Sequence, residues 1–331
     1  MRDPAFWWRP AGVAAGLLSP LAAVYGFVAE RRMARPGSRA GVPVICIGNP
    51  TLGGAGKTPT AIAVAQLLQA AGRRPFVLSR GYGGSLAGPV PVDPATHRAD
   101  DVGDEPLLLA GTVPTVVARD RVAGAAAAHD SGADVVVMDD GFQNPALAKD
   151  LAILVVDGRR ALGNGRVFPA GPLRAPLDPQ LHRAHALVVV GPGAAGDRIA
   201  AMAEGRRVPV FRAVLEPDRA VLGDLEGRPV LAFAGIGDPE KFFATLRDAG
   251  IDIRVQRAFP DHHRYGRSEA LDLVARAQRD KLVPVTTEKD FVRLAGQGDL
   301  AALAGLVRTL PVRLKFADTE AFRDLILRAA Q

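Results

Sequence analysis

Residues 48–60 read "GNPTLGGAGKTPT", and no other stretch restricts the possible folds of this chain as much. Before it comes "VPVICIG", a continuous apolar, β-branched run of the kind that forms a strand buried on both faces of a parallel sheet. After it comes "PTAIAVAQLLQAAGRR", in which Pro59 suits a first helical turn and Gly72 suits the helix end. A strand, a glycine-rich turn and a helix in that order gather backbone N–H groups and the positive end of a helix at one point, which makes an anion site. The pattern G-x-x-x-x-G-K-[ST] is met at Gly56, Lys57 and Thr58, but its first glycine is replaced by Thr51. The work of such a loop does not need that first glycine. It needs close backbone approach, a lysine for the β/γ-phosphates and a hydroxyl for Mg2+. Thr51, Gly53, Gly54, Ala55, Gly56, Lys57 and Thr58 are therefore the expected nucleotide contacts.

Strand-like runs then alternate with helical ones: "RPFVLSRGYGG", "VPTVVARDRVAGAAAAHDSG", "ADVVVMDDGFQ", "LAILVVDG" and "HALVVVGPG". This alternation predicts an α/β fold with a doubly wound parallel sheet. Near "VFRAVLEPDRAVLGDLEGRPV" charged turns separate short apolar pieces, which predicts a linker. "VLAFAGIGDPEKFFATLRDAG" then restarts a strand and helix, and "KLVPVTTEKDFVRL" and "LPVRLKF" supply further strands. The expected organisation is an N-terminal helix (1–37), a phosphate-loop domain (38–212), a linker (213–228) and a second, smaller α/β domain (229–331).

Charge and cysteine usage exclude some classes. A net charge of +6 over 331 residues, with no basic run interleaved with aromatics, argues against a nucleic-acid partner. The lysines are Lys57, Lys149, Lys241, Lys281, Lys289 and Lys315, so one inside "GGAGKT" stands out against an otherwise Arg-based positive charge. A single cysteine, Cys46, rules out an intrachain disulfide and suits a reducing compartment.

From Ala11 to Ala29 the chain carries no charge, and "ERRMARPGSR" follows. The run is close to the roughly 20 apolar residues that span a bilayer core. Pro20 and the many Ala and Gly residues favour a kinked or interfacial helix as much as a straight span. Trp7 and Trp8 before it and Arg31, Arg32, Arg35 and Arg39 after it suit headgroups and an anionic leaflet. Membrane association is preferred over a buried core helix or a cleaved leader.

A phosphate loop needs a second contributor to Mg2+, usually an acid at the end of a buried strand. Asp139 and Asp140 in "ADVVVMDDGFQ" supply it, together with Thr58. Asp104 and Glu105 in "DVGDEPLLLA" precede an apolar helix, where carboxylates also act as caps. "FPDHHRYG" clusters Asp261, His262, His263 and Tyr265, with nothing like a zinc site.

Together, "GNPTLGGAGKTP", "SRGYGG", "VGDEP", "DDGFQ", "GPLRAP", "FAGIGDPEKFF", "FPDHHRY" and "TTEKD" resemble the tetraacyldisaccharide 4'-kinases of lipid A synthesis, in family order. The resemblance implies an ATP- and Mg2+-dependent kinase on the cytoplasmic face of a bacterial inner membrane. It would phosphorylate the 4'-hydroxyl of a tetraacylated disaccharide 1-phosphate, contact lipid through its N-terminal helix and need no obligate protein partner. By position, Asp104 matches the proposed catalytic carboxylate and His262 the histidine supporting it. Glu105, Arg80, Arg121, Gln143 and Arg174 are expected on the substrate side. The chain departs from the family pattern at Asn144, where a histidine is usual, and at Ala175, where a glutamate is usual.

Three rival readings stay open on the residues alone. A GTPase would need its base-reading lysine one place earlier than "TEKD" puts it. A P-loop amide ligase of the dethiobiotin synthetase kind has no use for the apolar helix. A membrane-tethered nucleotide-binding scaffold leaves Asp104 and His262 unexplained.

Overall fold

A computed structural model describes residues 3–331. Among them one nine-stranded sheet runs in the order Val312–Phe316, Val210–Pro217, Ala186–Val190, Leu151–Asp157, Val44–Gly48, Val135–Asp139, Pro75–Ser79, Thr115–Val117, Val90–Pro91. All pairings are parallel except those of the two outermost strands. Strand Val44–Gly48 is buried along its whole length, as its uninterrupted apolar sequence requires. Its alternate residues face opposite sides: Val44 and Cys46 join one core, Ile45 and Ile47 the other. Helices must cover both faces of such a sheet, which gives the doubly wound α/β class.

At the C-terminal end of Val44–Gly48 the neighbours are Val135–Asp139 on one side and Leu151–Asp157 on the other. The chain winds away in both directions from this point, and the crevice left there is where open α/β sheets bind ligands.

The second domain has its own four-stranded parallel sheet, in the order Ile253–Ala258, Val230–Ala234, Val283–Thr287, Arg308–Leu310. Its boundaries differ from the sequence expectation. The segment 213–228, expected to be a linker, is the end of strand Val210–Pro217 followed by helix Arg219–Leu225. Likewise "LPVRLKF" is split at Pro311: Arg308–Leu310 completes the second sheet, whereas Val312–Phe316 returns to the first. Val210–Pro217 and Val312–Phe316 pair antiparallel, with Val312 opposite Pro217 and Phe316 opposite Ala213. The chain therefore enters and leaves the second domain on two adjacent strands. The last helix, Thr319–Ala329, closes on the first domain, where its buried Phe322 stacks against Phe316.

The apolar N-terminal run is helix Val13–Met33, long and apolar enough to cross a membrane by length and composition. Val13, Leu17, Leu21, Val24, Phe27 and Val28 are exposed on it. Trp7 does not stand free beside it as a headgroup anchor. It is buried, its Nε1 donates to the Pro169 carbonyl at 3.1 Å, and its ring meets the edge of Phe168.

Candidate active site

The phosphate loop is shaped by glycine where the backbone demands it. Gly56, the residue preceding helix Lys57–Ala70, has φ 93°, and a Cβ there would lie 3.2 Å from Val190. An L side chain is disfavoured on both counts. Lys57 then starts the helix, 8% exposed, with its Nζ 3.8 Å from Asp140 Oδ1. Arg174 holds the same carboxylate, with Nη1 3.0 Å from Oδ1, and its Nε donates to the Thr51 carbonyl at 2.9 Å. Thr51 is thus a buried clamp point of the loop.

Strand Val135–Asp139 ends at the pair Asp139–Asp140. Asp139 is 1% exposed and neither carboxylate oxygen has a hydrogen-bond partner. Burial, followed by the neighbouring charges of Glu105 and Asp140, pushes its carboxyl up to about 7. Asp140 goes the other way. Burial opposes its ionisation but Lys57 and Arg174 outweigh it and hold the carboxyl below the usual range. Orphaned buried oxygens beside a second carboxylate, with the Thr58 hydroxyl on the same cleft wall, fit a hard divalent cation that keeps part of its water shell. Among the described residues no cluster of three or more His, Cys, Asp or Glu could hold a metal.

Between the two domains lies a cleft of about 1280 Å³, lined by the phosphate loop, Arg80, Tyr82, Glu105, Asp139, Asp140, Arg174, His262 and Lys289. Asp104 starts helix Asp104–Ala110, after Gly103 (φ 92°), whose Cβ would meet the Tyr82 carbonyl at 2.5 Å. Across the cleft, His262 Nδ1 lies 3.0 Å from Asp104 Oδ2. A carboxylate only accepts, so Nδ1 carries the proton and donates it. His262 itself is held with φ 56° by its backbone N–H donating to the Gly235 carbonyl at 3.1 Å. Tyr82 meets its ring edge-on at 5.5 Å.

Sequence reasoning missed the basic half of this cluster. "TTEKDFVRL", expected to be strand, is strand only to Thr287. Thr287 Oγ1 then accepts from the Asp290 N–H (3.1 Å) and caps helix Glu288–Leu294. The T-x-x-D spacing was the signal available for it. On that helix Lys289 and Arg293 share one face at i, i+4. Lys289 Nζ pairs with Glu105 at 2.9 Å and Arg293 Nε donates to Asp104 Oδ2 at 2.7 Å. Burial opposes ionisation of Asp104, but the His262 hydrogen bond and the charges of Lys289 and Arg293 win and hold its carboxyl well below the usual carboxylate range.

Other expected residues are elsewhere. Arg121 is 2% exposed, donates to the Ala118 carbonyl and does not line the cleft. Gln143 donates to the Asn49 carbonyl and to Gln180, both at 2.9 Å, buttressing the start of the phosphate loop. Asn144 turns its Oδ1 onto the Ala146 N–H (2.8 Å), and Ala175 is fully buried with its carbonyl accepting from Gln180 (2.8 Å). His263 is taken up by Glu269 (2.9 Å) and by stacking on Phe259.

A phosphate loop at a topological switch point, facing an imidazole–carboxylate pair across an interdomain cleft, defines a P-loop phosphotransferase. The sequence profile of the family described as tetraacyldisaccharide-1-P 4'-kinase (LpxK) matches residues 14–331. A tetraacyldisaccharide 4'-kinase of Rhodopseudomonas palustris strain BisB18 is 57% identical over 99% of this chain and 95% of its own length. One from Bradyrhizobium sp. strain BTAi1 is 56% identical over 98% of this chain and 94% of its own. A crystal structure of LpxK from Aquifex aeolicus in complex with ATP superposes with a TM-score of 0.74 at 27% identity, covering 96% of this chain and 99% of that one. The chain belongs to the tetraacyldisaccharide 4'-kinase family.

Proposed function

We propose that the chain uses ATP and Mg2+ to phosphorylate the 4'-hydroxyl of an acylated disaccharide 1-phosphate, giving lipid IVA, at the cytoplasmic face of a bacterial inner membrane. The backbone of 53–56 and Lys57 hold the β/γ-phosphates, and Thr58, Asp139 and Asp140 hold the cation. Bound there, the cation neutralises charge on the transferring phosphoryl group. Asp104 and His262 deal with the sugar hydroxyl, a poor nucleophile that gains from giving up its proton.

The observation that carries this reading is the 3.0 Å contact between His262 Nδ1 and Asp104, made across the cleft from the phosphate loop. Asp104 is 5% exposed and lies behind His262, which lines the cleft. A carboxylate held so low is also a weak proton acceptor. The proton of the sugar hydroxyl therefore passes to His262 Nε2, whereas matching by position gave it to Asp104. Asp104 fixes the tautomer and balances the imidazolium that forms. Arg80 and Tyr82 bracket the acceptor side of the cleft, and Lys289 with Glu105 closes its floor.

The exposed apolar residues of Val13–Met33, with Arg31 and Arg32 in its last turn, rest in the lipid that holds the acylated acceptor. Incubation with labelled ATP and disaccharide 1-phosphate in detergent micelles tests the whole reading. Label must appear on the sugar and must require both Mg2+ and the acceptor. Hydrolysis of ATP that ignores the lipid acceptor overturns it.

A further inference from the structure

We propose that Arg293 is a positioning residue for phosphoryl transfer: it fixes Asp104 as a partly neutralised anion and thereby sets how tightly His262 holds the proton it receives. The inference rests on the Asp104–His262 reading above and deepens it.

Arg293 lies on the helix Glu288–Leu294 of the second domain and is 4% exposed. Two of its contacts converge on the dyad. Nε donates to Asp104 Oδ2 at 2.7 Å, the same oxygen that accepts from His262 Nδ1 at 3.0 Å. Nη1 donates to the Gly235 carbonyl at 2.8 Å, and that carbonyl also accepts from the His262 backbone N–H. Nη1 is shared with Asp290 Oδ1 at 2.9 Å. Asp290 is anchored in turn by the Tyr265 hydroxyl at 2.8 Å, the Gly235 N–H at 2.9 Å and Thr287 Oγ1 at 2.7 Å. The guanidinium thus touches the carboxylate of one dyad member and the backbone carbonyl that orients the other.

A structural ion pair alone would not need this. A buried guanidinium already matched by Asp290 has its charge balanced without Asp104. Asp104 adds a second carboxylate, so one cation is divided between two anions and Asp104 keeps part of its charge for the imidazole. The groups facing His262 are Asp104, Asp261 (Oδ2 3.8 Å from Nε2) and Tyr82, with Arg293 and the Lys289–Glu105 pair behind Asp104. Removing the guanidinium leaves the full charge of Asp104 to fall on an imidazolium. The ring then keeps its proton more tightly, and the unprotonated acceptor is lost at higher pH.

The test is the pH profile of kcat/KM for Arg293→Gln and Arg293→Lys, with His262→Ala run beside them. Gln places a neutral N–H donor about where Arg293 Nε meets Asp104 but has no charge; Lys keeps the charge. In Arg293→Gln the acid limb should move up by roughly one pH unit, within the range a nearby charge produces, and kcat should fall about tenfold or more. In Arg293→Lys the limb should stay within a few tenths of a unit of wild type. The position of the limb does not depend on how much of a preparation is active, so partial misfolding of a variant leaves the readout intact. An unmoved limb in Arg293→Gln, or an equal shift in both variants, overturns the inference. His262→Ala with wild-type activity and limb overturns instead the dyad reading beneath it.

Discussion

Lys57 Nζ lies 3.8 Å from Asp140 Oδ1, so the cation of the phosphate loop faces the acid at the end of the neighbouring strand. Arg174 Nη1 pairs with the same carboxylate oxygen at 3.0 Å. Lys57 can therefore turn toward phosphate without leaving Asp140 unpaired. Lys57→Ala should leave the fold intact and lower kcat by about 10²–10³-fold, the cost of losing one charged donor at a reacting centre. Turnover near wild type at saturating MgATP would sink the phosphate-loop assignment.

Asp139 presents a stability prediction with a definite sign. Its carboxyl is pushed up to about 7 in the folded protein, against roughly 3.9 in an unfolded chain. Between those values the folded state binds the proton more tightly, so its stability falls as pH rises from about 4 to about 7. Asp139→Asn removes that loss. At about pH 8 and without divalent cation the variant should melt higher than wild type, the gain should vanish toward about pH 4, and phosphoryl transfer should be abolished. Melting curves at both pH values decide it, and a variant less stable than wild type at the higher pH contradicts the burial argument.

The first domain was legible because its strands announce themselves. "VPVICIG" and "ADVVVMDD" are apolar without interruption, as strands buried on both faces must be. The connection to the second domain was not, for the same physical reason in reverse. Strand Val210–Pro217 is only half-buried, so Arg212 and Glu216 sit in it openly and make it read as a charged linker. The dyad was legible only through a resemblance covering many motifs. Arg293, 189 residues from Asp104, carried no local mark of its role beyond its i, i+4 spacing from Lys289.

The N-terminal region separates two contributions that a sequence merges. Leu17, Leu21 and Val24 are exposed, whereas Trp7 is buried against Phe168 and Pro169. Changing those three residues to Gln should free the protein from lipid vesicles with little change in melting temperature. Trp7→Ala should instead cost about 3–5 kcal/mol of stability, as truncation of a buried Trp does. Vesicle co-sedimentation and thermal melts measure both. Co-sedimentation of the triple variant equal to that of wild type would refute the lipid-facing role.

Asp104 and His262 act on one proton, so their losses should not add. Their hydrogen bond spans the two domains at 3.0 Å, and neither group does its part alone: without Asp104 the imidazole loses its tautomer and its counter-charge, and without His262 the carboxylate has no route to the cleft. Asp104→Asn and His262→Ala should each cut kcat by about 10²-fold or more, the usual scale of general-base assistance. The double variant should be scarcely worse than the poorer single one. If Asp104 were only a helix cap, Asn would serve equally well and the change would be nearly silent. Asn also leaves Arg293 facing a neutral amide, so melting curves must accompany the rates to separate a misfolded variant from an inactive one. Losses that simply multiply in the double variant, with melting temperatures unchanged, would show two independent residues and end the case for a dyad.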